Sequence, residues 1–222
     1  MNKKRKILLY VIALIASLTF IFVVAFMSTS KEKQTKDSNN VIKQTKTKEV
    51  TVEEKTELEI AQEEYDAKLE KLNSMNLSKL EWFKQYKSLV EEYGDILGNK
   101  PKTIYDSFTQ QELDLLFKVV QAEIGGYSFD QKCNVVSVIY NRLKDGRFPN
   151  QMSGILVGHQ FSTISNGAIY KVKVDETTVL ACEYVYIFGD TTNGALFFDS
   201  NGRLNYMFLF NDGAHNFYTK RK

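Results

Sequence analysis

Glu123 is the residue of this chain whose type and setting suit proton transfer. It falls in the last turn of the run TQQELDLLFKVVQAEIGG, between Ala122 and Ile124. At helical spacing Leu113, Leu116, Phe117, Val120 and Ile124 share one face of that run, and Glu123 lies at the edge of the face. Partial loss of water favours the protonated form of a carboxyl, which is the form a general acid needs near neutral pH. Gly125 and Gly126 follow at once and remove side-chain bulk, so a large ligand can approach the backbone there. The same residues also describe an ordinary half-exposed glutamate at a helix end, and spacing by itself leaves both readings open.

Other chemistries find less support. Two cysteines, Cys133 and Cys182, and two histidines, His159 and His215, cannot make a four-ligand structural zinc site of recognisable spacing, so neither metal nor cofactor is expected. Cys133 with His215 is a formal nucleophile–base pair, but Cys133 belongs to an apolar helix face, where a thiol is normally inert. The chain carries a net charge of +2 over 222 residues, too little to argue for a nucleic-acid partner.

The elements that must position Glu123 are legible from their ends. Thr109 and Glu112 form a capping box that opens its helix, and Gly125-Gly126 are expected to close it with a left-handed C-cap. Ser128 and Gln131 cap a second helix, whose Cys133, Val136, Ile139, Tyr140 and Leu143 make an apolar face before Asp145-Gly146. Beyond Pro149 the segments shorten: FSTI, AIYKVKV, a helix from about 176 to 188, then ALFFD and YMFLF, which read as strands of a small antiparallel sheet. Helices followed by short strands predict an α+β domain over residues 106–222.

Upstream, residues 50–98 read as a helical stalk or hairpin. Leu58, Ala61, Tyr65, Leu69 and Leu72 recur at spacings of three and four, and a Ser78–Glu81 capping box starts a second helix with Leu80, Phe83, Tyr86, Val90 and Tyr93. These helices are candidates for a homodimer contact or for a partner in an envelope complex. Residues 28–49 are polar and lysine-rich, a composition expected of a flexible linker. Residues 7–27 hold no charge and are long enough to cross a bilayer. They follow Lys3, Lys4, Arg5 and Lys6, so residues 1–27 are expected to be a cytoplasmic basic tip and transmembrane anchor, with the remainder outside the cell. The run is longer than the apolar stretch of a cleaved signal peptide and lacks the usual alanines at its end. In an oxidising exterior Cys133 and Cys182 are candidates for a disulfide, and each also fits its helix as a small hydrophobe.

The block AEIGGYSFDQKCNVVSVIYNRLKDGRFPN resembles the defining block of the spore-cortex-lytic cell wall hydrolase family (the SleB/CwlJ type). It has the Ala122-Glu123 pair, a turn containing Gly126, an apolar helix ending in Asn141-Arg142, and Phe148-Pro149. Gln160-Phe161-Ser162, Gly194-Ala195-Leu196-Phe197-Phe198 and the closing Gly213, His215, Phe217 and Tyr218 follow in the family's order. The resemblance implies a lysozyme-like α+β domain acting on peptidoglycan glycan strands between N-acetylmuramic acid and N-acetylglucosamine, with Glu123 as the catalytic glutamate. It implies lytic transglycosylase chemistry, in which one glutamate serves as acid and then as base and the product is a 1,6-anhydro sugar. Tyr127, Asn141, Gln160, Phe161, Ser162, His215 and Tyr218 become the candidate substrate-binding residues. Two positions depart from the family pattern: Tyr127 stands where a second glutamate is often found, and Asp199 where many members have asparagine. A hydrolase usually needs a second carboxylate, about 5–9.5 Å from the first; near Glu123 in sequence are only Asp130 and Asp145, both suited to helix-end roles. The competing readings are an N-acetylmuramoyl-L-alanine amidase or peptidase, and a peptidoglycan-binding protein without turnover.

Overall fold

A computed structural model describes residues 55–220. The expected anchor and linker lie outside the described residues, and among those described no helix is long and apolar enough to cross a membrane. The elements are α1 (Glu57–Ser74), α2 (Lys79–Tyr93), α3 (Gln110–Ile124), α4 (Phe129–Lys144), the single turns α5 (Met152–Ile155) and α6 (Ser162–Ser165), and α7 (Glu176–Phe188). Three strands follow: β1 (Phe197–Asp199), β2 (Met207–Asn211) and β3 (Asn216–Thr219).

Helix starts are set by the expected side chains. Ser78, Thr109 and Ser128 each accept from the backbone N–H three residues on, while Glu81, Glu112 and Gln131 reach back to the backbone N–H of the cap. Each reciprocal pair satisfies two donors the helix itself leaves free. The end of α3 differs from expectation. Gly125 keeps right-handed helical angles (φ −58°), and its N–H donates to Gln121 O at 2.9 Å, so there is no left-handed cap. The glycine gives room instead: a Cβ there would collide with the Gln121 side chain. That side chain folds over the glycine to accept from Asp175 N (3.1 Å) and Thr178 Oγ1 (2.7 Å), tying α3 to the start of α7.

Helix α4 is the axis of the domain. Only Asp130 and Lys144, near its two ends, are exposed. Cys133, Val136, Ile139 and Tyr140 join Leu116 and Val120 of α3 and Ala181 and Val185 of α7 in the main core. On another side Val138 meets Ala195 and Phe217. A helix so enclosed must pair each of its polar groups with protein. Lys132, 1% exposed, donates to both carboxylate oxygens of Asp175 (2.9 and 2.8 Å) and to Thr177 Oγ1 (2.5 Å). Gln131, Asn134, Ser137 and Asn141, spaced three, three and four residues apart, form a polar stripe. Gln131 donates to Asp212 O (3.0 Å), Asn134 to Asp212 Oδ2 (3.0 Å), and Asn141 to Ala195 O (3.0 Å), while Ser137 Oγ accepts from Thr191 N (3.0 Å). The stripe thereby grips the loop before β1 and the turn before β3. In that loop Asn193 and Gly194 both take positive φ (57° and 83°), and Gly194 N donates to Asp190 Oδ2 at 2.6 Å.

The antiparallel sheet has the order β1-β3-β2. The two strands read from the sequence do not pair with each other. Each pairs with β3, in registers such as Phe198↔Phe217 and Phe208↔Tyr218. Four residues give β3 only two alternations, and it follows directly on a polar turn, so its pattern is too short to read as a strand.

The described residues, 55–220, form one compact unit. Helices α1 and α2 fold back on each other around Ala61, Leu89 and Tyr93, but α2 does not stand away from the domain as a stalk would. Phe83 is fully buried in the main core, its ring 5.3 Å from Tyr184 and 6.0 Å from Phe188. Lys79–Asp130 (2.8 Å) and Lys84–Glu176 (2.9 Å) cross the same seam. Such exposed pairs are worth about 0–1 kcal/mol each, so the rings hold the seam together. Cys133 and Cys182 are both buried free thiols rather than a disulfide. Burial pushes Cys133 up to about 12 and Cys182 well above the ordinary thiol value.

Phe83→Ala should therefore cost about 3–5 kcal/mol, read as a lower urea midpoint of one cooperative transition. A loss below about 1 kcal/mol, as at an exposed stalk position, would mean that α2 is not part of the core.

Candidate functional site

The C-terminal ends of α3 and α4, the turn α6, and β1 with the residues after it enclose a groove of about 380 Å³. Glu123 enters it from the last turn of α3. The side chain is half-buried, and its Oε1 accepts from Thr163 Oγ1 at 2.7 Å. Thr163 sits on α6 beside Phe161, which is 2% exposed and fixes that turn against the core.

Of the candidate substrate-binding residues, Gln160, Phe161, Ser162 and His215 line the groove with Glu123. The Phe161 ring has other neighbours, however: the Arg142 guanidinium lies 5.3 Å over it and the Phe198 ring 6.4 Å away. Tyr127 is exposed, its ring 6.4 Å from that of His215. Asn141 and Tyr218 are not brought to the groove. The Asn141 amide is spent on Asp190, Thr192 and Ala195. Tyr218, 4% exposed, donates from its hydroxyl to Asp199 Oδ1 at 2.9 Å.

The structure adds Thr163, Arg142, Phe198 and Asp199. Thr163 stands directly after the Gln160-Phe161-Ser162 motif. Arg142 shares a motif with Asn141, but successive helical residues point about 100° apart, so one faces the loop and the other the groove. Burial pulls the Arg142 guanidinium down to about 10, against the opposing pull of Tyr206 and Glu123, which leaves it charged at neutral pH. Phe198 places its ring edge-on to His215 at 5.1 Å.

Asp199 is the second carboxyl lining the groove. Burial works against its ionisation, yet hydrogen bonds from Arg203 N (2.7 Å), Tyr218 Oη (2.9 Å) and Gly202 N (3.0 Å) hold it below the usual carboxylate range. Asp130 and Asp145 do not line the groove; Asp130 pairs with Lys79, and Asp145 with Arg147, whose hydrogen bonds pull it down to about 2. His215 is 9% exposed. Burial lowers it below the ordinary imidazole value, against the pull of Asp212, Glu123 and Asp199, so its ring is neutral at neutral pH.

A half-buried carboxyl, an ionised aspartate, a neutral imidazole and a guanidinium thus belong to residues that line one groove. Residues 126–218 match the sequence profile of the Cell Wall Hydrolase family. The matched span covers α4, α7 and the sheet and begins just after Glu123. Among solved structures the chain is similar to the catalytic domain of the germination-specific lytic transglycosylase SleB from Bacillus anthracis, at 23% identity and a TM-score of 0.47, covering 52% of this chain and 100% of that one. It is similar also to the catalytic domain of the Bacillus cereus SleB protein, at 25% identity and a TM-score of 0.46, covering 51% and 94%. No curated protein matches the chain.

The neutral His215 has a thermodynamic consequence. Its folded value lies below the unfolded one, near 6.5, so between the two the unfolded chain binds more protons. Stability is therefore complete above about pH 6.5, falls as pH drops below it, and stops falling once the folded ring also protonates. Melting temperatures between pH 7.5 and 5.5 should fall less steeply in His215→Gln than in the parent or in a control at the exposed His159, His159→Gln. Equal slopes in all three would contradict this account.

Proposed function

We propose that this groove cuts peptidoglycan glycan strands between N-acetylmuramic acid and N-acetylglucosamine by the lytic transglycosylase route, with Glu123 as the only acid–base group. The observation that carries this reading is the contrast between the two carboxyls of the groove. Glu123 has one oxygen held by Thr163, which leaves Oε2 to carry a proton. Asp199 already accepts three hydrogen bonds from its own turn and from Tyr218. A carboxylate so occupied is a weak base and a poor nucleophile, whereas two-carboxylate hydrolysis needs a second group free to attack or to activate water.

In the proposed reaction Glu123 gives its proton to the glycosidic oxygen as the bond from that oxygen to the muramic C1 breaks. The C6 hydroxyl oxygen of the same muramic residue then bonds to C1, and its proton passes to the Glu123 carboxylate. The acid is restored, no water is consumed, and a 1,6-anhydro end is left. The lysozyme-like arrangement implied by the resemblance, a glutamate at a helix end beside a small sheet, agrees with this division of labour. The same reading has residues 7–27 carry the domain on the outer face of the membrane, toward the wall.

Glu123→Gln keeps the shape and can still accept from Thr163, yet it cannot donate an acidic proton. Muropeptide release should fall by a factor on the order of 100 or more, with the melting temperature unchanged. Mass spectrometry of products from the parent should show anhydro ends. Reducing ends would instead assign water activation to Asp199, free stem peptides would point to an amidase, and undiminished release by the variant would remove Glu123 from the reaction.

A further inference from the structure

Among the described residues the Glu123 carboxyl accepts one hydrogen bond, from Thr163 Oγ1 at 2.7 Å. Thr163 is 9% exposed and does not itself line the groove, so it acts on a bound strand only through Glu123. A hydroxyl in a helical turn ordinarily bonds to a backbone carbonyl of its own segment. Ser165, in the same turn, does so, donating to Ser162 O at 3.0 Å. The Thr163 hydroxyl is committed instead to a carboxyl 40 residues away in sequence.

The donor is held from several sides. Phe161, 2% exposed, anchors the turn in the core. Phe161 N donates to Val157 O (3.0 Å), and Asn166 N to Ser162 O (2.9 Å). A β-branched side chain also has few choices at χ1, so the hydroxyl is in place before any substrate arrives. Its effect differs between the two states of the glutamate. A hydrogen bond to a neutral carboxyl has ordinary strength, whereas the same bond to a carboxylate is roughly twice as strong. An interaction that strengthens as the reaction proceeds raises kcat, and one that stays equal alters only KM.

We propose that Thr163 is a positioning residue, its hydroxyl confining the exchangeable proton of Glu123 to Oε2 and steadying the carboxylate left when that proton passes to the glycosidic oxygen. This rests on the glycan-cleavage reading above. With Oε1 occupied in both states, the carboxyl need not turn between giving one proton and taking the next from the C6 hydroxyl. Both transfers then occur at one oxygen, and Thr163 keeps its own proton throughout.

The test compares the full chain with Thr163→Val, Thr163→Ser and Glu123→Gln on soluble, uncross-linked glycan strands. Thr163→Val keeps the shape and removes the hydroxyl. Its kcat should fall about tenfold or more, as for loss of a donor aimed at developing charge, with KM within about twofold of the parent. Thr163→Ser, which has the hydroxyl without the methyl, should recover most of that loss. A Thr163→Val with the parent's kcat overturns the assignment. So does a loss confined to KM, or an equal loss in Thr163→Ser, which would make the contribution one of packing. Should Thr163→Val lack the parent's thermal transition, Thr163→Ala is compared with Thr163→Ser on the same terms. Strands left uncut by the parent, or cut by Glu123→Gln at the parent's rate, overturn the glycan-cleavage reading itself; a parent-like Thr163→Val leaves that reading standing.

Discussion

A helix with almost no side facing solvent has nowhere to leave an unpaired amide, hydroxyl or charge, and α4 is such a helix. The cost of a buried group without a partner exceeds the gain from an ordinary hydrogen bond, so each polar side chain of α4 dictates what must lie opposite it. Lys132 requires the Asp175 end of α7; Asn134 and Gln131 require the turn at Asp212; Ser137 and Asn141 require the loop that feeds β1. The sheet is too small to hold its place by its own ladder. It is held because its entering loop and its last turn are bonded to this one helix.

The groove follows from that arrangement. With β1 and the His215 turn fixed on α4, Phe198, Asp199 and His215 come to face the end of α3, and α6 supplies Thr163 from the remaining side. Apolar packing supplies most of the stability, through the core shared by α3, α4 and α7 and through the aromatic seam with α2. Hydrogen bonds to α4 supply the placement. Arg142 Nη1 and His215 Nδ1, the two buried side-chain polar atoms without a hydrogen bond among the described residues, belong to residues that line the groove.

What could be read from the sequence was local. Capping boxes at Ser78, Thr109 and Ser128 mark helix starts because the interaction spans three residues, and the position of Glu123 at the edge of an apolar stripe follows from helical periodicity alone. What could not be read depends on distant partners. The polar stripe of α4 looks like a solvated face until the loops it bonds are known, and the amide of Asn141 is used in that way, on Asp190, Thr192 and Ala195. Asp199 reaches the groove through the pairing of β1 with a strand too short to recognise. The double glycine after Glu123 does mark the helix end, at Ile124, but without a left-handed cap; the first of the two is required by the side chain of Gln121 lying over it, a contact set by Asp175 and Thr178 far downstream.

The two cysteines give this fold a built-in clock. Both sulfurs are protonated and sealed between α4 and α7, and only a thiolate reacts with an oxidant or an alkylating reagent. Modification must therefore wait for those two helices to part, and its rate reports how often the centre of the molecule opens. In an oxidising medium the same seal protects the chain: the sulfurs age at the pace of unfolding rather than at the pace of the chemistry around them.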